Sequence, residues 1–269
     1  MKTLIRCAAL TCAVGLAACS GDSTGTQATP LLNADLATVV ADNTGDDVDI
    51  MREPVFFTSM PQGGPAMVVG SGDLNPGNCT YNSTTQRLEC PTVTRGTLTV
   101  TRSYKFWDAN NVVMDHYDAA LTAKANIQTH ISGERSGESW SGSVDRTRDM
   151  TATGLLGTET TRTWNGTGTS DVTHSRHNDS GEERSYNLSC TLTVTDVVVP
   201  VPHSDERWPL SGTITHQCTI TFVGGPRDGQ TITRTATVTF NGTQTVTVHV
   251  GDKSFDIDLK TRHRGGERP

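Results

Sequence analysis

Residues 211–223 read SGTITHQCTITFV and residues 231–250 read TITRTATVTFNGTQTVTVHV. In the first, Ile214, Cys218, Ile220 and Phe222 share one parity, and Thr213, Thr215, Gln217, Thr219 and Thr221 share the other. Ile232, Ala236, Val238 and Phe240 repeat the arrangement against threonines from Thr231 to Thr239, and Val246, Val248 and Val250 repeat it against Thr245 and Thr247. Successive side chains of a strand point to opposite faces, so this period of two predicts strands with one aliphatic face and one hydroxyl face.

Working outward, Leu188, Cys190, Leu192 and Val194 show the same alternation, as do Leu98, Val100, Tyr104 and Phe106. Val113, Tyr117, Leu121, Ala123, Ala125 and Ile127 predict one more strand, across a turn at Asp108-Ala109-Asn110-Asn111. A sheet with one apolar face needs a covering layer or closure on itself. The fold class expected is therefore all-β: an antiparallel meander forming a β-sandwich or barrel-like sheet, with a short N-terminal helical segment. At Asn241-Gly242, burial favours a three-residue loop that sets Val238 opposite Gln244 and Ala236 opposite Val246, with Gly242 supplying the left-handed residue.

Composition points the same way. The 269 residues hold 44 threonines and 26 glycines with only 5% aromatics, which favours strands and turns over helices. A net charge of −7 and a pI near 5.6 leave no positive field of the size nucleic acid requires, so no nucleic-acid partner is expected. The single helix-like period is Leu32, Leu36, Val39 and Val40, with Asp35 in its first turn; Gly45 is expected to break it, and a second short turn to hold Val48, Ile50 and Met51 before Pro54.

At the start of the chain, Lys2 and Arg6 precede an apolar run from Cys7 to Ala18, the layout of an export signal and too short to span a bilayer. The run ends in Leu16-Ala17-Ala18-Cys19, which resembles the lipobox of bacterial lipoproteins. The resemblance covers about the first 20 residues only. It implies cleavage before Cys19, lipid attachment at Cys19 and, with Ser20 following, sorting to the outer membrane. Loss of Lys2 and Arg6 takes the mature chain to −9, so the membrane partner is engaged through acyl chains rather than through charge. The resulting organisation is a signal peptide over residues 1–18, a flexible tether over 19–30, a helical segment over 31–53, an antiparallel β domain over 54–262 and a polar tail over 263–269.

Four further cysteines remain, with three possible pairings. The stretch from Cys79 to Cys90 folds about Thr84-Thr85, which places Tyr81 opposite Leu88 and Cys79 opposite Cys90. Cys190 and Cys218 are centred on Ser204 between two well-patterned strands and face each other on the apolar side. Two disulfides, Cys79–Cys90 and Cys190–Cys218, are expected, in keeping with an oxidising compartment. The wide spacing argues against zinc.

Residues 132–184 are different, with six arginines interspersed among acids and few large apolar residues. They read as a solvated stretch of sheet with cross-strand charge pairs, or as a polar binding face carrying Trp140 and Trp164. His174, His177, Asp171 and Asp179 form the densest ligand-like cluster, but residues three apart in a strand project from opposite faces, so no metal site is expected there. Asp42, Asp46, Asp47 and Asp49 read as an exposed acidic turn or helix end, since their spacing misses a calcium loop. His216 falls on the inward parity and reads as a satisfied core residue. Nucleophile elbow, phosphate loop, dinucleotide fingerprint and zinc-protease motif are all missing.

The expectation for function is a non-catalytic, cofactor-free, lipid-anchored envelope protein, acting as a binding or structural surface component. An envelope protein, a polysaccharide or a hydrophobic ligand would be its partner. Two alternatives stay open: a carrier whose apolar parity lines a cup for lipid, and a membrane-spanning barrel with that parity outward.

Overall fold

The structure, a computed structural model, describes residues 24–52, 79–136, 140–177, 183–201, 208–261 and 263–268. The export signal, Cys19 and Pro54 lie outside the described residues. Among the described residues, the α-helix α1 (Thr24–Arg52) precedes fourteen strands, with a single 3-10 turn at Gly225–Arg227. The major strands are β4 (Leu98–Trp107), β6 (Lys124–Ser136), β7 (Trp140–Thr153), β8 (Thr161–His177), β9 (Glu183–Pro200), β10 (Ser211–Val223), β11 (Thr231–Thr239), β12 (Thr245–Val250) and β13 (Lys253–Asp258). β1 (Thr80–Asn82) and β2 (Arg87–Glu89) form a hairpin at one edge, β3 (Val93–Arg95) and β5 (Val113–Met114) pair with β4, and β14 (His263–Arg268) forms the other edge.

All pairings are antiparallel, and the order β1-β2-β4-β6-β7-β8-β9-β10-β11-β12-β13-β14 is an open meander. The apolar parity read from the sequence in the last third faces inward: Leu192, Val194, Ile214, Ile220, Val238 and Val248 are all at most 2% exposed, as is Ile257 on β13. The covering layer is α1. Leu32, Leu36, Ala37, Val40, Ala41, Val48 and Met51 are buried in one core cluster with residues from β2, β4 and β6 through β13. Between Leu32 and Met51 only Ala34, Thr38, Asp42 and Asp49 are partly exposed, and they form a single stripe. At about 100° per residue, that burial spans roughly two-thirds of the helix circumference, so the sheet curls around α1 without closing.

Several element boundaries differ from expectation. α1 starts at Thr24, inside the stretch read as a tether, and continues through Gly45 to Arg52. A mid-helix glycine costs about 1 kcal/mol relative to alanine; burial of Val48, Ile50 and Met51 beyond it offsets that. The strand expected over 113–127 is instead the two-residue β5, a turn region and the start of β6, with Leu121 exposed. Residues 263–268, read as a polar tail, form β14 against β13. At Asn241-Gly242, Gly242 has the left-handed φ of 82°, but Val238 faces Val248 and Ala236 faces Val250, so the loop is longer than three residues. Phe240 leaves the ladder to donate to the Gly212 carbonyl, and Gly242 donates to that of Pro209. The connection thus docks on the β9–β10 crossing while parity is preserved.

Candidate functional site

Both expected disulfides are present, Cys79–Cys90 and Cys190–Cys218. Tyr81 faces Leu88 in the β1–β2 hairpin, and Cys190 faces Cys218 across β9 and β10 on the buried side.

The two tryptophans do not form one surface. Trp164 is fully buried, on β8 opposite Ala152. Trp140 lies at the opposite end of the β7–β8 ladder, opposite Arg176. Asp171 points outward while His174 is buried, so these two are split by the sheet as the strand period requires, and Asp179 lies outside the described residues.

What occupies the 132–184 stretch instead is a charged seam inside the molecule. Val144, Arg146, Arg148, Met150 and Ala152 share the inward parity of β7, and both arginines are at most 2% exposed. Their partners come from α1, where Asn43, Asp46 and Asp47 fall at i, i+3 and i+4 and so lie on one face. Arg146 Nη2 donates to Asp46 Oδ2 at 2.7 Å and its Nη1 to Asn43 Oδ1 at 3.2 Å; Arg148 binds Asp47 bidentately, Nε to Oδ1 at 2.8 Å and Nη2 to Oδ2 at 3.1 Å. Asp46 and Asp47 are therefore buried ion-pair partners rather than an exposed acidic turn. Burial pulls the Arg148 pKa down from its ordinary value, and Asp47 opposes that pull. His216, on β10, is fully buried, and neither ring nitrogen has a hydrogen-bond partner among the described residues, so it is not the satisfied core residue expected. Burial first, and then the charges of Arg148 and Arg146, depress its pKa to about 3, so it is neutral in the folded protein.

The seam supports an outward-facing trough of about 880 Å³ over β2, β4 and β6–β9. Arg148 Nη1 donates to the carbonyls of Thr147 and Thr169, which are part of the trough floor. Gly168 makes room for this: a Cβ there would stand 2.4 Å from the Thr147 carbonyl and 2.8 Å from Arg148 Cδ. Across the floor Thr147 faces Thr169, which faces Thr191, and beside them Asp149 faces Thr167, which faces Thr193. Thr147 and Thr169 share a hydroxyl–hydroxyl hydrogen bond of 2.7 Å.

At the β2 wall, Arg87 donates from Nε to Ser103 Oγ at 2.8 Å and from Nη1 to Asn126 Oδ1 at 2.8 Å; Asn126 and Gln128 in turn donate to the two oxygens of Asp149. Partial burial lowers the Arg87 pKa, against the raising effect of Asp149 and Glu89. The Cys79–Cys90 disulfide fixes the hairpin that delivers Arg87. The lining thus offers hydroxyls, amides and both signs of charge, suited to a polar partner held by many hydrogen bonds.

No family model matches the sequence, and no curated protein or solved structure is significantly similar to it. Arg146 and Arg148 alternate in phase with Val144, Met150 and Ala152, so parity reveals the sheet side of the arginine seam but not its partners on α1. Parity does not reveal the trough, because its threonines are those of any solvated strand face.

Proposed function

We propose that this chain is a lipid-anchored, non-catalytic component of the bacterial envelope, held at the outer membrane through Cys19, that binds a polar envelope partner across the outward trough. The trough carries the reading: a braced, hydroxyl-rich concavity of about 880 Å³, on a face the hydrophobic effect alone would leave to solvent. The interior, which a lipid carrier would keep open, is filled by α1 and its ion pairs. The outward face, which a spanning barrel would make apolar, carries threonines and charges. Both observations favour the anchored reading over its two alternatives.

The test has two arms. Cys19→Ala is expected to move the protein from the membrane fraction to the soluble fraction on flotation; retention in the membrane would refute the anchor. Thr167→Arg with Thr193→Arg is expected to leave thermal unfolding unchanged while abolishing retention of an envelope component that the unaltered protein retains on a column. Identical bound material from both proteins would refute the trough.

A further inference from the structure

α1 has a direction inside the sheet, and that direction can be read from its partners. Asn33 shares a cavity with Arg234 and with the Gly251–Asp252 turn between β12 and β13. Asn43 reaches Ser170, Asp46 meets Arg146 and Asp47 meets Arg148, further along the sheet. Arg52 stacks over Trp208 at 4.1 Å, beside the start of β10 at the other end. The helix therefore enters at the end bearing the β10–β11 and β12–β13 turns and ends at the end bearing the β7–β8 and β9–β10 connections.

Cys19 precedes Thr24 by five residues, which span at most about 18 Å fully extended. The ten residues from Thr24 to Asn33 are helical and rise about 14 Å. We infer that α1 is a stalk as well as a core element: it stands the sheet on the lipid bilayer with the β10–β11 and β12–β13 turns toward the headgroups and the opposite end outward. This rests on lipidation at Cys19 as proposed above.

Two observations about the ends fit this orientation. The entry-end turns carry Arg227 beside Asp228 and Asp252 beside Lys253, so opposite charges alternate and anionic headgroups neither repel nor capture them. Of the five exposed large apolar residues among those described, Val112, Leu121, Leu156 and Leu210 lie in connections at the opposite end and Val223 lies at the entry end. The described part of the entry end therefore offers little apolar surface for insertion among the acyl chains, which leaves attachment to the lipid on Cys19.

The test uses the full chain, purified after export and reconstituted in phosphatidylethanolamine–phosphatidylglycerol vesicles that contain an acceptor-labelled lipid. A donor is placed by a non-canonical amino acid at position 252 or at position 121, and each variant is first shown to melt like the unaltered protein. Energy transfer from position 252 is expected to exceed that from position 121 by about twofold or more, since the strands between the two ends rise about 3.3 Å per residue. Equal transfer, or greater transfer from position 121, would overturn the orientation. Labelled palmitate incorporated by the protein but not by Cys19→Ala checks the lipid separately. If no palmitate is incorporated, the anchor proposal falls, and the orientation is then judged by the same transfer ratio after coupling the Cys19 thiol to a maleimide lipid.

Discussion

His216 is buried in a neutral state beside two arginines, and this makes the fold acid-sensitive at one identifiable residue. Its folded pKa of about 3 lies below the ordinary 6.5, so the unfolded chain binds the proton more readily. The contribution is fully present above pH 6.5 and is lost as pH falls from 6.5 toward 3, at roughly 1.4 kcal/mol per unit. His216→Leu is expected to flatten the dependence of the urea midpoint on pH over that window; an unchanged slope would reject the assignment. Arg146 offers a second measurement. Asp46→Ala removes its carboxylate partner in a site nearly closed to water and should cost about 3–5 kcal/mol, whereas Asp46→Leu with Arg146→Met should restore most of that. If the single and double variants unfold at the same urea concentration, the pair does not hold the helix in register. These residues were only half legible in the sequence. Parity puts His216, Arg146 and Arg148 on the inward face, but charge favours water, and the arginines stay inside because Asp46 and Asp47 are brought opposite them by a helix that runs on past Gly45, where the sequence signals its end.

The strands were legible because their pattern is decided locally, by alternation against solvent, and both disulfides followed from strand parity and turn position. The Cys190–Cys218 bridge closes a sequence separation of 28 residues across the two best-patterned strands. Replacing both cysteines by alanine should lower stability by roughly 3 kcal/mol, read as a fall in the urea midpoint, with a steeper slope because the unfolded chain without its cross-link exposes more surface. Boundaries set by tertiary contact were not legible in this way. Gly45 signals a helix end, yet the ion pairs just beyond it and the buried Val48 and Met51 carry the helix on. The Asn241-Gly242 loop kept its left-handed glycine but changed length because the β9–β10 connection offers carbonyls to it. At β8, Gly168 matters for the space it leaves rather than for backbone freedom: Gly168→Ala should push the Arg148 side chain off Asp47 and cost about 1–3 kcal/mol, in the range of overpacked cores. A variant as stable as the parent would show that the trough floor can shift without loss.

For the whole molecule, the decisive relation is between a sheet that does not close and a helix that completes it. The sheet's concave face carries most of the buried aliphatics, and α1 contributes Leu32, Leu36, Val39, Val40, Val48, Ile50 and Met51, seven large apolar side chains that are all at most 7% exposed. Fully burying such a side chain contributes about 1.5–3 kcal/mol, so this set represents roughly 10–20 kcal/mol before entropy. Net stabilities of domains are only about 5–15 kcal/mol. The helix is thus not an appendage that the sheet can lose. A chain lacking residues 24–52 is expected to bind a hydrophobic dye, to lose its cooperative thermal transition and to associate through its uncovered inner face. Adding a peptide of residues 24–52 should restore a cooperative melt at one equivalent, while the same peptide with Asp46→Lys and Asp47→Lys should not, because it would set like charges against Arg146 and Arg148. A helix-deleted chain that melts cooperatively at the parental temperature would mean that the sheet supplies its own core and that α1 is dispensable to the fold.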